Sequence, residues 1–151
     1  MMKEVNIYIE TSIRGPRRRA GAYGYVLETY TAAGAATLTD IKPLPETTEA
    51  QSLAMALAEA LGRLRASCSL KIYTQSSYIQ SVLMHWLKDW QVNGWMNKKG
   101  NEVADAETWQ KTAELLNAHL YGVVVGAAHS YQEYLQRETA AVATGRPFRP
   151  L

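Results

Sequence analysis

The order of strand-like and helix-like segments constrains this chain more than any other feature of its sequence. Val5, Ile7 and Ile9 alternate with polar residues, which predicts a half-buried strand over residues 5–9. Two further β-rich segments, 22–30 and 36–41, flank a short turn-prone Ala-Ala-Gly sequence, and only afterwards does a helical period begin. We therefore expect three antiparallel strands before the first helix.

Helices and strands alternate in the rest of the chain. After Pro43 and Pro45, leucines recur at steps of four, four and three residues, which predicts a helix over 48–66. The same reasoning predicts a strand at 70–74, helices at 76–90 and 104–119, a strand at 121–126 and a helix at 131–144.

This order predicts one α/β domain with a five-stranded mixed sheet, in which three antiparallel strands are followed by parallel additions and helices flank the sheet. We expect the domain to span residues 1–144. Residues 145–151 contain Pro147 and Pro150, and we expect them to form a flexible C-terminal tail.

Composition excludes several classes of protein. The chain has 151 residues of which 47% are hydrophobic, enough for one core, so a disordered chain is excluded. Sixteen basic against fourteen acidic residues give a net charge of +2, which permits a polyanionic partner without requiring one. The single Cys68 excludes a disulfide scaffold, and no apolar segment is long enough for a membrane span. We expect a cytoplasmic protein without a membrane partner.

Several short motifs follow one another along the chain. Those along the first half of the chain are Ile9-Glu10-Thr11-Ser12 before a Gly/Pro loop, Ala22-Tyr23-Gly24-Tyr25-Val26-Leu27, Thr47-Thr48 at the start of the first helix, and Ile72-Tyr73-Thr74-Gln75-Ser76-Ser77-Tyr78-Ile79. The most specific set is Trp86, Trp90, Gly94-Trp95 and Trp109-Gln110. In this order and spacing the motifs resemble those of the type 1 ribonuclease H family. The resemblance covers nearly the whole chain and implies the ribonuclease H-like fold.

That resemblance implies two-metal hydrolysis of the RNA strand of an RNA/DNA hybrid, with carboxylates holding Mg²⁺ or Mn²⁺. At the family's four carboxylate positions this chain has Glu10, Ser52, Gln75 and, at the last, either Gln136 or Arg137. Only Glu10 keeps a negative charge, and it is one methylene longer than the family's Asp, so it is at most a weak metal ligand. We expect nuclease activity to be lost or strongly impaired.

Other acids could rebuild the site, which leaves an active enzyme open as an alternative. Glu49 precedes Ser52 by three residues, and Glu133 and Glu138 lie in the last helix. His129 follows the last strand and is a displaced candidate for the family's proton-shuttling histidine, although an exposed loop histidine is the simpler interpretation.

The resemblance also implies a surface for nucleic acid. The residues we expect to contact it are Arg14, Arg17, Arg18, Arg19, Thr47, Thr48, Trp90, Trp95, Lys98 and Lys99. The four arginines repel one another unless an anion is near, which favours phosphate binding, although an acidic protein could also bind there. Trp86 and Trp109 share helical stripes with apolar residues and are expected in the core.

Three functions follow in order of preference. The first is binding of RNA/DNA hybrid or another duplex nucleic acid with lost or impaired cleavage. The second is an active Mg²⁺-dependent endoribonuclease with a rearranged acidic site, and only this function needs Mg²⁺ or Mn²⁺. The third is a protein-interaction module on the same fold.

Overall fold

The computed structural model describes residues 2–151; Met1, the first residue of the predicted domain, lies outside them. Three strands open the chain: β1 (Lys3–Thr11), β2 (Arg19–Thr31) and β3 (Gly34–Thr47). The remaining elements are α1 (Glu49–Gly62), β4 (Cys68–Thr74), α2 (Ser77–Ser81), a π-helical turn (Val82–Trp86), α3 (Leu87–Val92), α4 (Ala106–Leu116), β5 (Leu120–Val125) and α5 (Gln132–Ala143).

The five strands form one mixed sheet in the order β3-β2-β1-β4-β5. β1 pairs antiparallel with β2, which pairs antiparallel with β3, while β4 and β5 add in parallel. This confirms the sheet predicted from the sequence. The C-terminal ends of β1, β4 and β5 therefore meet at one edge, where a parallel sheet usually carries its functional residues.

Helices cover both faces of the sheet. Val5, Ile7 and Ile9 of β1 join the buried cluster under α1 and α4, which contains Trp109. Tyr8 lies on the opposite face, in a second cluster with Leu135 and other residues of α5. Gly24 of β2 allows α5 this close approach, because a Cβ there would lie 2.8 Å from Ile41 Cγ1 and 3.4 Å from Thr139 Cγ2.

Two predicted boundaries are wrong for physical reasons. Pro43 and Pro45 lie inside β3 rather than after it, because β3 is an edge strand and only one side of it must pair. The predicted helix 76–90 is divided by the π-helical turn, in which the Leu87 N–H bonds to the Val82 carbonyl. The Tyr121 hydroxyl donates to the Leu83 carbonyl at 3.0 Å inside that turn, which takes this carbonyl out of the regular helical ladder.

The third predicted helix is shorter than expected, since it begins at Ala106 after Asp105, whose φ of 58° is left-handed. None of the helices formed by residues 2–151 combines the length and the apolar character that crossing a bilayer requires.

Candidate functional site

Glu10 lies near the end of β1, in register with Gly24 of β2, and is only 4% exposed. Its Oε1 accepts hydrogen bonds from the backbone N–H of Thr11 at 3.1 Å and from Nη2 of Arg14 at 3.1 Å. A carboxylate this buried needs partners that compensate for its lost hydration. Here those partners come from the protein itself.

Arg14 is the main cation at this position. Its Nη2 forms the ion pair with Glu10, and its Nη1 lies 3.9 Å from Oε2 of Glu49 and also donates to the Thr11 carbonyl. The guanidinium therefore lies between two carboxylates from two elements, β1 and α1. The structure places Arg14 in this ion-pair network with its side chain 53% exposed, and its expected contact with nucleic acid stays a prediction.

Ser52 is fully buried on α1. Its Oγ lies 2.8 Å from Oγ1 of Thr11 and 2.8 Å from the Glu49 carbonyl oxygen, so the hydroxyl links α1 to the end of β1. Both contacts join neutral groups. At the position that the resemblance aligns with a glutamate of the family, Ser52 therefore forms a structural hydrogen bond and carries no charge.

Gln75 follows β4 directly and is exposed. Its Nε2 donates to the Ala127 carbonyl at 3.3 Å, across to the segment after β5. The neutral amide, which the resemblance aligns with an aspartate of the family, thus connects the ends of β4 and β5.

The resemblance places its last aligned carboxylate position on α5, where both candidates, Gln136 and Arg137, are exposed. Arg137 Nε donates to Oε2 of the buried Glu138 at 2.8 Å, and the backbone N–H of Arg149 donates to Oε1 at 2.7 Å. The bond from Arg137 and the one from the Arg149 backbone together lower the pKa of Glu138 below its ordinary value. Glu138 therefore holds the C-terminal segment against α5, and the flexibility predicted for residues 145–151 stays a prediction.

The donor set does not fit the two-metal centre that the resemblance implies. Of the four positions that the resemblance aligns with carboxylates, one keeps a carboxylate, and that carboxylate is paired with the Arg14 guanidinium. Among residues 2–151, no group of three or more His, Cys, Asp or Glu side chains is arranged to hold a metal. The rearranged cluster of Glu10, Glu49 and Glu133 or Glu138 is therefore not assembled: Glu133 is exposed and Glu138 bonds to Arg137 and Arg149.

His129 is half-buried rather than exposed, and its ring centroid lies 4.5 Å from that of Tyr8. Burial lowers its pKa, although the nearby charge of Glu28 opposes the shift. Its Nδ1 accepts the N–H of Tyr131 at 3.1 Å, which fixes the ring at the start of α5.

Glu28 is a buried acid that the sequence analysis missed. It is 4% exposed on β2 and accepts hydrogen bonds from Asn6 and Tyr8, each at 2.9 Å, and from the Tyr131 hydroxyl at 2.5 Å. Burial by itself would raise the pKa of Glu28, but the hydrogen bonds outweigh it and the pKa is lowered. Burial, together with the hydrogen bond to Glu28, raises the pKa of Tyr131 to about 12. The alternation of side chains along β2 could have assigned Glu28 to one face of the sheet. No local sequence pattern identifies its hydrogen-bond partners, which are distant in sequence.

The loop after β1 presents the remaining predicted arginines to solvent. Arg17, Arg18 and Arg19 are exposed, and within the described chain none has a carboxylate oxygen within 4.0 Å. Arg18 donates to the Glu46 carbonyl at 2.8 Å, which fixes its direction. Arg17 and Arg19 are thus the cations of this loop that are free to meet an anion.

Thr47 and Thr48 are used in starting α1. The Thr48 hydroxyl accepts the N–H of Gln51 at 3.1 Å as the N-cap, and the Thr47 hydroxyl donates to the Gln51 side chain. Thr47 is also only 5% exposed, so its side chain is too buried to contact a ligand directly. It would affect a ligand surface only by positioning the backbone at the start of α1.

Tryptophans form the second predicted contact surface. Trp90 and Trp95 are half-buried with ring centroids 6.5 Å apart, and Trp90 also packs 6.4 Å from the fully buried Trp109. The predicted core position of Trp109 is confirmed. The predicted core position of Trp86 is wrong, since it is 41% exposed. The π-helical turn at Val82–Trp86 alters the helical periodicity, so Trp86 does not lie on the same face as Val82 and Leu83.

Lys98 and Lys99 lie in the exposed loop that follows Trp95. Asn97 orders this loop: its Oδ1 accepts the backbone N–H of Lys99 at 2.9 Å and of Asn101 at 3.1 Å. Both lysines therefore project from a defined turn, next to the tryptophan pair, without a carboxylate within 4.0 Å in the described chain.

Comparisons with known proteins agree with this fold. The RNase H family model matches residues 2–135. A ribonuclease H of Clostridium botulinum is 33% identical over 139 residues, which cover 90% of this chain and 91% of that protein.

Solved structures share the architecture. LC9-RNase H1, a type 1 RNase H with the type 2 active-site motif, superposes with a TM-score of 0.78 at 23% identity, covering 97% of this chain and 74% of that one. LC11-RNase H1 in complex with RNA/DNA hybrid gives a TM-score of 0.64 at 16% identity, covering 93% and 99%. From the family match and the relative from Clostridium botulinum, this chain belongs to the ribonuclease H family.

Proposed function

We propose that this chain binds RNA/DNA hybrid or another duplex nucleic acid and has lost, or strongly weakened, the ability to cleave it. The observation that carries the proposal is the Arg14 guanidinium paired with Glu10 at 3.1 Å. A cation of the protein already neutralises the one carboxylate that remains at the family positions. Binding therefore needs no divalent cation, and the chain acts as a pseudoenzyme.

Positive charge without an internal partner supports the binding half of the proposal. Arg17 and Arg19 in the loop after β1, and Lys98 and Lys99 in the loop after Trp95, are exposed and have no carboxylate within 4.0 Å in the described chain. When such cations contact a phosphate backbone they release its condensed counterions, which makes the free energy of binding more favourable. LC11-RNase H1, which shares the fold, is in complex with RNA/DNA hybrid in its crystal structure.

The active-enzyme alternative requires Mg²⁺ or Mn²⁺ and a set of carboxylates that Ser52, Gln75 and Arg137 do not provide. The protein-interaction alternative would use the same arginine loop for an acidic partner. We place the binding activity in the cytoplasm, where a lone buried Cys68 stays reduced.

The test is a fluorescence anisotropy titration of a labelled RNA/DNA hybrid in EDTA at several salt concentrations. We expect the logarithm of affinity to fall linearly with the logarithm of salt concentration. The double variant Arg17→Ala/Arg19→Ala should bind more weakly and reduce the slope by roughly two.

The matched control is Lys111→Ala/Arg146→Ala, which removes the same charge from α4 and the C-terminal segment. It should keep the wild-type slope. No binding at low salt, or equal losses in the two double variants, would overturn the proposed function.

A further inference from the structure

A cavity of about 310 Å³ lies at the end of the sheet opposite Glu10. It is lined by Lys3 and Val5 at the start of β1. Glu10 lies five positions further along the strand than Val5, about 17 Å at 3.3 Å per residue. The proposed nucleic-acid site does not use it.

The cavity exists because the β2–β3 hairpin is longer than the helix that covers it. β2 has 13 residues and α1 has 14. An extended strand of that length spans about 43 Å but a helix only about 21 Å. The far end of the hairpin therefore extends past the end of α1 at Gly62.

Apolar side chains form most of the cavity wall. They come from β1, β2, β3 and the segment after α1, and the larger aliphatic ones are Val5, Leu27, Leu38 and Leu64. Leu38 is 41% exposed, although its neighbour across the hairpin, Leu27, is 6% exposed. Cys68, 3% exposed, lines the buried side.

Three cations border these apolar walls: Lys3, Arg63 and Arg65. All three are exposed, and within residues 2–151 none has a carboxylate oxygen within 4.0 Å. Arg63 donates to the Tyr25 hydroxyl at 3.0 Å and keeps its other donors free. Glu28 also borders the cavity, but its carboxylate oxygens bond to Asn6, Tyr8 and Tyr131.

We propose that this cavity binds a small amphipathic anion, a molecule with a short apolar body and one carboxylate head, as in a medium-chain carboxylic acid. The apolar body would be removed from water against Val5, Leu27 and Leu64. The head would accept charge-assisted hydrogen bonds from Arg63 and Arg65. A polyanion would leave the apolar wall exposed to water, and an uncharged hydrocarbon would leave the cations without an anionic partner. The volume is at the small end of the range for ligand sites, which limits the ligand to a short chain.

The experiment is a calorimetric titration of the full chain with decanoate, below the concentration at which decanoate forms micelles. We expect saturable binding of one decanoate per chain. Decylamine and 1-decanol, which have the same apolar chain without the negative charge, should bind at least tenfold more weakly.

Two variants locate the site. Arg63→Gln/Arg65→Gln should weaken decanoate binding at least tenfold, whereas Lys111→Gln/Arg146→Gln, which removes the same charge elsewhere, should not. Thermal unfolding of both variants checks that they fold.

Cys68 gives a second measurement that needs no variant. Bound decanoate should slow the reaction of this single thiol with an aromatic disulfide reagent severalfold, and decylamine should not. Binding that does not saturate, that is equal for decylamine, or that is unchanged in the Arg63/Arg65 variant would overturn the proposal.

Discussion

Replacing Arg14 with Met should destabilise the fold through the buried Glu10. The Glu10 side chain is 5% exposed and would keep only the Thr11 N–H at 3.1 Å, while losing the guanidinium at 3.1 Å. Breaking a fully buried ion pair costs about 3–5 kcal/mol and a surface pair about 0–1 kcal/mol. Because Arg14 itself is 53% exposed, an intermediate loss of about 1–2 kcal/mol is expected.

Thermal unfolding measures this loss, since about 1 kcal/mol lowers the Tm of a domain of this size by roughly 2–4 °C. The matched background is Glu10→Gln, in which a neutral amide replaces the carboxylate. There Arg14→Met should cost much less, so that the double-mutant cycle gives a coupling free energy of about 1 kcal/mol. An equal cost in both backgrounds would refute the reasoning.

The same variant tests whether Arg14 excludes divalent cations. Without the guanidinium, Glu10 and Glu49 are left with no cation between them. Millimolar Mn²⁺ should then raise the Tm of Arg14→Met more than that of the wild type, by mass action on the folded state. The same shift in both proteins would contradict this role of Arg14.

Three further predictions concern stability. Glu28→Gln should lower the free energy of unfolding at pH 7, measured by urea unfolding, by about 1–3 kcal/mol. Because the pKa of Glu28 is lowered in the fold, its contribution to stability is complete above about pH 4.3 and is lost as pH falls through the folded pKa. The stabilities of the wild type and the variant should therefore converge in acid. Burial lowers the pKa of His129, so stability should fall as pH drops below about 6.5 and His129→Gln should flatten that slope; an unchanged slope would contradict the burial effect. Trp109→Ala should cost about 3–5 kcal/mol in the same assay, and the exposed Lys98→Ala almost nothing.

The sheet could be predicted because its signals are local. The alternation at Val5, Ile7 and Ile9 and the leucine period of α1 each depend on neighbouring residues, and their order leaves few topologies. The sequence predicts the end of the third strand too early, because Pro43 and Pro45 indicate that it stops before them. Both prolines are tolerated in β3 because that strand lies at the edge of the sheet, which the local sequence does not show.

The site was less predictable because its partners are distant in sequence. The resemblance located Glu10, Ser52, Gln75 and Arg137, but not what each side chain contacts. Ser52 meets Thr11 across 41 positions, and no pattern near Ser52 predicts that contact. Arg14 follows Glu10 by only four residues, yet a turn between them decides that the two side chains meet.

The most direct test of the central claim follows cleavage and gel shift together in one sample. Purified protein is incubated with a labelled RNA/DNA hybrid in EDTA, in Mg²⁺ and in Mn²⁺, with Glu10→Ala as the control. We predict a shifted band in all three conditions and an intact RNA strand. Metal-dependent cleavage that disappears in Glu10→Ala would show a working acidic site and contradict the account.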